Sequence, residues 1–341
     1  VYALRPGALG RGDRMSTSFE NVWSIVLAGG EGERTRAFIT NWLGYHKPKQ
    51  YCAFTGTRSL FQHTVDRADA LSCPERRVVI AAPSHRNHVL EQLRGRGAGR
   101  VVFQPENRGT AAGVFLALTY VFARDLGATV VIYPSDHFVY PESAFLNEVR
   151  KAVRSAERQS GPVLLGVRPS APEPDYGWIL PSTEADLSTR RVAAFLEKPV
   201  RRLADEALRK GGLWNTFILA SRLDSLWTLG FRFIPEIMPA FVRLREAVRA
   251  GRDQAALEKI YQELPSRDLS SDVLARASDE LRVLEMHGVW WNDWGRPERI
   301  LETLRALGQR SVKLPEALEL VPKVFLSGAP FGAEPEVSDV A

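Results

Sequence analysis

The stretch Val22-Trp23-Ser24-Ile25-Val26-Leu27-Ala28-Gly29-Gly30-Glu31-Gly32 decides the fold. Val22–Leu27 is an apolar, β-branched run of the kind a buried strand shows, and the glycines after it end the strand in a loop. Backbone N–H groups in a glycine-rich turn can approach phosphate oxygens closely, because no Cβ intervenes. A dinucleotide loop, G-x-G-x-x-G, fails here because Thr35 stands where a third glycine is required after Gly30 and Gly32. A Walker loop, G-x-x-x-x-G-K-[ST], occurs nowhere in the chain. The turn reads as a phosphate cradle of another kind, with Arg34 and Lys49 as candidate cations. A plain tight turn is the alternative.

Outward from this strand, Leu60, Phe61, Thr64, Val65 and Ala68 recur at helical spacing, and Val78–Ala82 is the next strand. His88–Leu93 looks helical, Val101–Phe103 is a short strand, and Ala111–Phe122 is a helix. Thr129–Tyr133 is a strand ending at Pro134-Ser135-Asp136, followed by a helix over Ser143–Arg158 and a strand over Val163–Val167. This alternation predicts βαβ units, hence an α/β, Rossmann-like fold with a mostly parallel mixed sheet flanked by helices. In such sheets ligands sit outside the carboxyl ends of the strands. Gly29 to Gly32, Gln104 to Thr110, and Asp136 all fall at those ends.

From Pro169 the texture changes. Short strands (Trp178–Leu180, Val192–Leu196, Phe217–Leu219) lie between Pro- and Gly-rich turns, with helical segments near Ile234–Ala250 and Ala255–Gln262. Leu281–Glu285 and Val289–Trp291 read as a last hairpin, and Pro297–Leu307 as a helix. The expected organisation is a flexible arm over 1–20, a catalytic domain over 21–310 and a tail or oligomer contact over 311–341. Within the domain, 21–168 form one half and 169–310 a substrate lobe packed on the same sheet.

Composition narrows the class. The chain has 341 residues, 45% hydrophobic and 25% charged, ordinary values for a soluble globular protein. No apolar run approaches the roughly 18 residues a membrane span requires, so no membrane is expected as a partner. Arg5, Arg11 and Arg14 lie near the start without an apolar stretch, which does not read as a secretory signal. The two cysteines, Cys52 and Cys73, have no metal-ligand spacing and read as reduced thiols of a cytoplasmic protein. The net charge of +5 is spread along the chain, which disfavours nucleic acid and suits an anionic substrate. Most of the 45 basic residues are Arg, so each surviving Lys, among them Lys47, Lys49 and Lys198, marks a place where a compact point charge is wanted.

Several segments carry chemistry. Gln104-Pro105-Glu106-Asn107-Arg108-Gly109-Thr110-Ala111 lies at a strand end and opens a helix. The Gln104 amide can donate and accept at once, as a base edge demands, Gly109 lets a flat base lie against backbone, and Thr110 resembles an N-cap. Pro134-Ser135-Asp136-His137 places an aspartate where it can hold Mg²⁺ against substrate phosphates, a helix-capping aspartate being the alternative. Asp175-Tyr176-Gly177-Trp178 and Phe195-Leu196-Glu197-Lys198-Pro199 offer Glu197 to sugar hydroxyls and Lys198 to a phosphate. Leu213-Trp214-Asn215-Thr216 and Trp290-Trp291-Asn292-Asp293-Trp294-Gly295 follow. Asp293 would be a second metal carboxylate, provided the fold brings it to Asp136.

Taken in order, these segments resemble the sugar-1-phosphate nucleotidylyltransferase family, most closely its mannose-1-phosphate guanylyltransferase branch. The match runs from Val22 to Leu307. The family's glycine-rich opening and P-K-Q correspond to Leu27–Arg36 and Pro48-Lys49-Gln50, and its Q-P-x-N-R-G-T-A to Gln104–Ala111. Its P-S-D-H is Pro134–His137, its E-K-P Glu197–Pro199, and its W-x-D-x-G Trp291–Gly295.

The resemblance implies roles. Leu27, Ala28, Gly29, Gly30 and Gly32, with Gln104, Asn107, Gly109 and Thr110, would bind the nucleotide. Arg34 and Lys49 would hold the triphosphate, and Asp136 and Asp293 would bind Mg²⁺. Lys198 would grip the sugar phosphate, with Gly177, Glu197 and Asn215 around the sugar. Arg34, Lys49, Asp136 and Lys198 would carry catalysis.

The sequence departs from the pattern at Glu33 and Thr35 around the loop arginine, in the segment between Arg36 and Lys47, and at Phe217, where W-N-S-G has its glycine. The extra isomerase domain of bifunctional members is not expected in a chain this short.

The expected reaction is GTP plus mannose 1-phosphate to GDP-mannose and diphosphate, by in-line attack of the sugar phosphate on the α-phosphorus. A phosphate is already anionic at neutral pH, so positioning and charge neutralisation are required rather than a nucleophilic side chain. Another triphosphate and hexose 1-phosphate pair, or a non-catalytic sugar-nucleotide-binding regulatory homologue, remain as alternatives. A homodimer is the expected assembly.

Overall fold

Strand β1 (Val22–Ala28) is buried along nearly its whole length, as a strand covered on both faces must be. Its alternate residues feed two cores. Trp23 and Ile25 pack into one cluster, and Val22, Val26 and Ala28 into another. In the computed structural model, Phe19 and residues 21–308 are described, apart from 98, 160 and 187. The rest of the expected N-terminal arm, residues 309–310 and the expected tail over 311–341 lie outside the described residues.

The other strands are β2 (Arg77–Ala81), β3 (Arg100–Phe103), β4 (Thr129–Pro134), β5 (Phe138–Tyr140), β6 (Val163–Val167), β7 (Trp178–Asp186), β8 (Thr189–Leu196), β9 (Leu213–Arg222), β10 (Arg282–Glu285) and β11 (Trp290–Asn292). Eight of them join β1 in one nine-stranded sheet in the order β3-β2-β1-β4-β9-β6-β10-β8-β7. The β3-β2-β1-β4 portion is wholly parallel. Among the described strands only β9 and β8 run against the common direction, so the sheet is mixed as expected, but it is not mostly parallel, since four of its strand pairings are parallel and five antiparallel.

The helices are α1 (Glu33–Leu43), α2 (Leu60–Asp69), α3 (Arg86–Gln92), α4 (Gly109–Phe122), α5 (Glu142–Arg158), α6 (Arg201–Arg209), α7 (Leu223–Phe233), α8 (Met238–Arg249), α9 (Asp253–Glu263) and α10 (Pro297–Ala306). Helix α4 is buried from Ala111 to Val121. An apolar surface all round fits a helix enclosed by the sheet and by α7, α8 and α9. Helices α2 and α5 cover the opposite face. Among the described residues no helix is long and apolar enough to cross a membrane.

Three local expectations change. Helix α8 begins at Met238 with Pro239 in its first turn, not at Ile234, because Pro235 disfavours helix at the residue before it. Thr110 is not an N-cap, since α4 already starts at Gly109. The last hairpin does not form. β10 is inserted between β6 and β8, whereas β11 leaves the sheet and pairs antiparallel with β5, Asn292 opposite Phe138 and Trp291 opposite Val139. Gly288, at φ 66, lies between the two strands. The β5–β11 ladder sets the residue after Asn292 beside the residues before Phe138, and so carries Asp293 to Asp136.

Candidate active site

The glycine turn is fixed through its carbonyls. Ala28 O accepts from the Tyr51 hydroxyl at 3.0 Å and from Gln50 Nε2 at 3.2 Å. His85 Nδ1 lies 3.2 Å from the same oxygen and must be the protonated nitrogen of that ring to bond it. Gln50 Nε2 also donates to Gly30 O at 2.7 Å. Among the described residues the N–H groups of Gly29, Gly30, Glu31 and Gly32 have no acceptor. Gly32 takes the left-handed conformation, φ 64, and releases the chain into α1. Carbonyls held inward and amides left unpaired are what an anion cradle requires.

Beside this turn lies a cavity of about 560 Å³, lined by Leu27, Gly29, Gly30, Gln104, Asn107, Gly109 and Thr110 among others, with Ile80 and Ala82 apolar and Asp268 at the rim. Most of the residues expected to bind the nucleotide therefore surround one space. Ala28 and Gly32 are outside it. Ala28 is buried beneath the turn as the acceptor just described, and a Cβ on Gly32 would stand 3.4 Å from Lys49 Cβ. A smaller depression of about 240 Å³ by Gly161, Asp224 and Glu280 contains none of these residues.

Two roles differ from expectation. Gly109 has φ +81, and a Cβ there would overlap the Arg267 carbonyl oxygen. The glycine is needed where 267 crosses the helix start, with Arg267 N donating to Arg108 O and Ala111 N to Arg267 O, each at 3.0 Å. The Thr110 hydroxyl donates to Asp268 Oδ2 at 2.7 Å and accepts from Leu269 N at 2.7 Å, so it tethers the π-helical turn Leu269–Leu274 to the cavity wall. Asn107 Oδ1 accepts from Gly109 N at 3.0 Å.

On the other side, Lys49 is buried and its ammonium is fully committed. Nζ lies 2.9 Å from Asp136 Oδ2 and donates to the carbonyls of Asp293 at 2.6 Å and Trp294 at 3.2 Å. Asp136 and Asp293 thus meet around one lysine. Asp293 Oδ1 accepts from the Tyr176 hydroxyl at 2.9 Å, Gly295 N at 2.9 Å and Arg299 Nη1 at 2.8 Å. A Cβ on Gly295 would collide with Asp293 Oδ2 and stand 2.9 Å from Arg34 Nη2, which explains the glycine of W-x-D-x-G. Burial pushes the Asp136 carboxyl up, but Lys49 and His137 outweigh it, and the group ends below the usual carboxylate range. Asp293 behaves alike, burial being outweighed by Arg299, Lys49 and the Gly295 N–H.

Both carboxylates are therefore ionised at neutral pH, and hard anionic oxygens suit Mg²⁺. Among the described residues no cluster of three or more His, Cys, Asp or Glu converges. Cys52 offers no alternative nucleophile, since burial pushes its thiol up to about 12.

The sugar-side residues also converge. Asn215 N donates to Gly177 O at 2.8 Å, and a Cβ on Gly177 would stand 2.9 Å from Glu197 Oε2 and 3.2 Å from Asn215 Cβ. Burial raises the Glu197 carboxyl above its ordinary value, Lys198 pulling only partly against it. Lys198 itself is exposed, at φ 44, with Nζ 3.5 Å from Glu197 Oε1. Phe217 keeps the left-handed conformation, φ 59, that a glycine would take there, and donates its N–H to Asn215 Oδ1 at 3.1 Å. Arg34 does not line the nucleotide cavity. It is exposed and lies 3.5 Å from Asp175 Oδ2.

Sequence reasoning missed Tyr51, His85, Asp268 and Arg299. Tyr51 could have been found from its place directly after Lys49-Gln50. Nothing local marks the other three, because their partners lie far along the chain.

A family model described as Nucleotidyl transferase matches residues 23–310. The chain is 28% identical over 304 residues to the xanthan biosynthesis protein XanB of Xanthomonas campestris, covering 88% of this chain and 63% of that one. It is 27% identical over 296 residues to a mannose-1-phosphate guanylyltransferase of Escherichia coli, covering 84% of this chain and 61% of that one. The chain thus spans about three-fifths of the length of these relatives. A solved Thermus thermophilus structure, described as a mannose-1-phosphate geranyltransferase, superposes with a TM-score of 0.70 at 25% identity, over 82% of this chain and 79% of that one.

Proposed function

The chain belongs to the nucleotidyl transferase family, and on that premise we propose that it joins GTP to mannose 1-phosphate, forming GDP-mannose and diphosphate. The observation that carries the reading is the meeting of Asp136 and Asp293 around buried Lys49, between the nucleotide cavity and the Gly177–Glu197–Asn215 cluster. The mannose-1-phosphate guanylyltransferase name of a relative supports the choice of substrates.

In this mechanism the triphosphate lies along the free amides of Gly29–Gly32, with the base in the cavity against Gln104. The sugar stands between Gly177, Glu197 and Asn215. Glu197 accepts from its hydroxyls, and Lys198, exposed beside it, turns from Glu197 to the sugar phosphate. A phosphate oxygen attacks the α-phosphorus in line, the bond to the bridging oxygen breaks, and diphosphate leaves with that electron pair. Arg34, exposed beside Asp175, turns to the departing phosphates. Asp136 and Asp293 would hold Mg²⁺, which would supply neutralisation of charge on the phosphoryl oxygens. Lys49 pairs with the Asp136 carboxylate and holds the backbone carbonyl of Asp293, so its positive charge lies beside both acids. The cytoplasm and a homodimer complete the proposal.

Diphosphate release measured across four nucleoside triphosphates and several hexose 1-phosphates tests it. The highest kcat/KM is expected with GTP and mannose 1-phosphate. A higher value with another pair would reassign the substrates, and no release from any pair would leave a non-catalytic sugar-nucleotide-binding homologue.

A further inference from the structure

Arg299 is a buried cation that the proposed reaction does not use. It sits on α10, outside every motif, yet its guanidinium engages several groups of the site. Nη1 donates to Asp293 Oδ1 at 2.8 Å. Nη2 lies 2.8 Å from Glu173 Oε2 and 3.4 Å from Asp175 Oδ2. Its Cζ stands 4.4 Å from the centre of the Tyr176 ring, and the hydroxyl of that same tyrosine donates to the same Asp293 oxygen at 2.9 Å.

The consequence is geometric. The terminal torsion of an aspartate is broad and roughly two-fold, so an untethered carboxylate presents either oxygen outward. Here Oδ1 accepts from a hydroxyl, a guanidinium and a backbone amide. Such a count of donors occupies that oxygen and fixes the plane of the group, which leaves Oδ2 as the oxygen that can meet a cation. The guanidinium fork is itself held from behind by Glu173 and Asp175, and a planar fork between two carboxylates is a rigid link.

We propose that Arg299 is a positioning residue for the metal site, which locks Asp293 with Oδ1 turned into the protein and Oδ2 presented outward. This rests on the reading that Asp136 and Asp293 hold a divalent cation. A packing role alone would require only that Arg299 fill space. A positioning role requires that Tyr176, which shares the same acceptor, have an effect of the same kind.

Mn²⁺ titrated alone into the full chain, followed by the loss of its free electron paramagnetic resonance signal, separates these cases. The variants are Asp293→Asn, Tyr176→Phe, Arg299→Lys and Arg299→Met, each with a thermal melt. Asp293→Asn is expected to abolish binding. Arg299→Met should weaken it by about 10–100-fold, the usual cost of losing an outer partner of a metal ligand. Tyr176→Phe should weaken it by about 10-fold, as for one hydrogen bond to a charged acceptor, and Arg299→Lys should recover part of the loss by keeping a donor on Oδ1. If Arg299→Met does not fold, Tyr176→Phe and Arg299→Lys decide. Wild-type Mn²⁺ affinity in the folded Arg299 and Tyr176 variants, with binding lost in Asp293→Asn, overturns the proposal and leaves the metal site standing. No Mn²⁺ bound by the wild type overturns both.

Discussion

The turn of Gly29–Gly32 and the turn of Asp293–Gly295 are both fixed from beneath, but by different chemistry. Under the first, Tyr51, Gln50 and His85 all converge on Ala28 O, with Gln50 reaching Gly30 O as well. Under the second, the ammonium of Lys49 holds two backbone carbonyls while also pairing with Asp136, and Arg299 holds the Asp293 side chain. Neutral hydrogen bonds contribute about 1 kcal/mol each, and where several share one acceptor the loss of any one is tolerated. A buried ion pair differs, because removing one partner strands the other charge at about 3–5 kcal/mol. The nucleotide side should therefore fail gradually and the metal side abruptly. This division suits the proposed tasks: backbone amides bind an anion without needing charge, whereas a cation requires carboxylates that stay ionised beside one another.

The largest test of that contrast is Asp136→Asn. It removes an anionic oxygen from the proposed metal site and leaves Lys49 without its side-chain partner. Diphosphate release should fall by about 10³-fold or more, in line with the loss of one preorganised electrostatic group at a phosphoryl or acyl centre. The melting temperature should fall too, because a carboxyl held below its ordinary value stabilises the fold at neutral pH. A variant that keeps its activity would remove Asp136 from the metal site, and with it the abrupt half of the comparison.

Much of this was legible in the sequence where the chemistry is local. The run into Gly29–Gly32 predicts a buried strand, and β1 is that strand, ending in a turn whose amides are unpaired among the described residues. Gln104–Thr110 is expected to wall a nucleotide site, and all of these residues but Arg108 line one cavity. What was not legible is pairing over distance. Val289–Trp291 reads as the return of a hairpin because it follows another strand closely, yet its partner is β5, about 150 residues earlier. Helix α1 shows almost no apolar period, only Thr35, Phe38 and Ile39 being buried. Arg299 was hidden by composition: in a chain whose basic residues are mostly Arg, one more arginine on a helix carries no signal. Gly109 was read for its freedom beside a ligand, whereas the close approach it permits is to Arg267.

Gln50→Ala probes the gradual half. It removes bonds to Ala28 O and Gly30 O while Tyr51 and His85 still hold Ala28 O. The loop should loosen without changing the metal side, so KM for GTP should rise about 5–10-fold at nearly constant kcat, the signature of lost uniform binding. Steady-state kinetics with GTP varied would show it. A fall in kcat comparable to that of Asp136→Asn would mean that the two turns do not act separately.

The smallest effect sharpens the charged side from within. Asp136 and Glu197 are both acids beside a lysine, but Lys49 is buried against Asp136 whereas Lys198 is exposed. Compensation is accordingly complete for one and partial for the other, and the Glu197 carboxyl sits above its ordinary value, chiefly through burial. In the fold this group binds its proton more tightly than in the unfolded chain. Its ionisation therefore costs stability as pH rises from the ordinary value of 4.5 through the raised one. Glu197→Gln escapes that cost. Its melting temperature should exceed that of the wild type by about 2 °C at pH 7.5, the scale of a fraction of a kcal/mol in a domain of this size. The gap should close as pH approaches 4, while KM for the sugar phosphate rises at every pH. Melts across that range decide it. A gap independent of pH, or a variant less stable at pH 7.5, would mean that Lys198 compensates Glu197 as fully as Lys49 does Asp136.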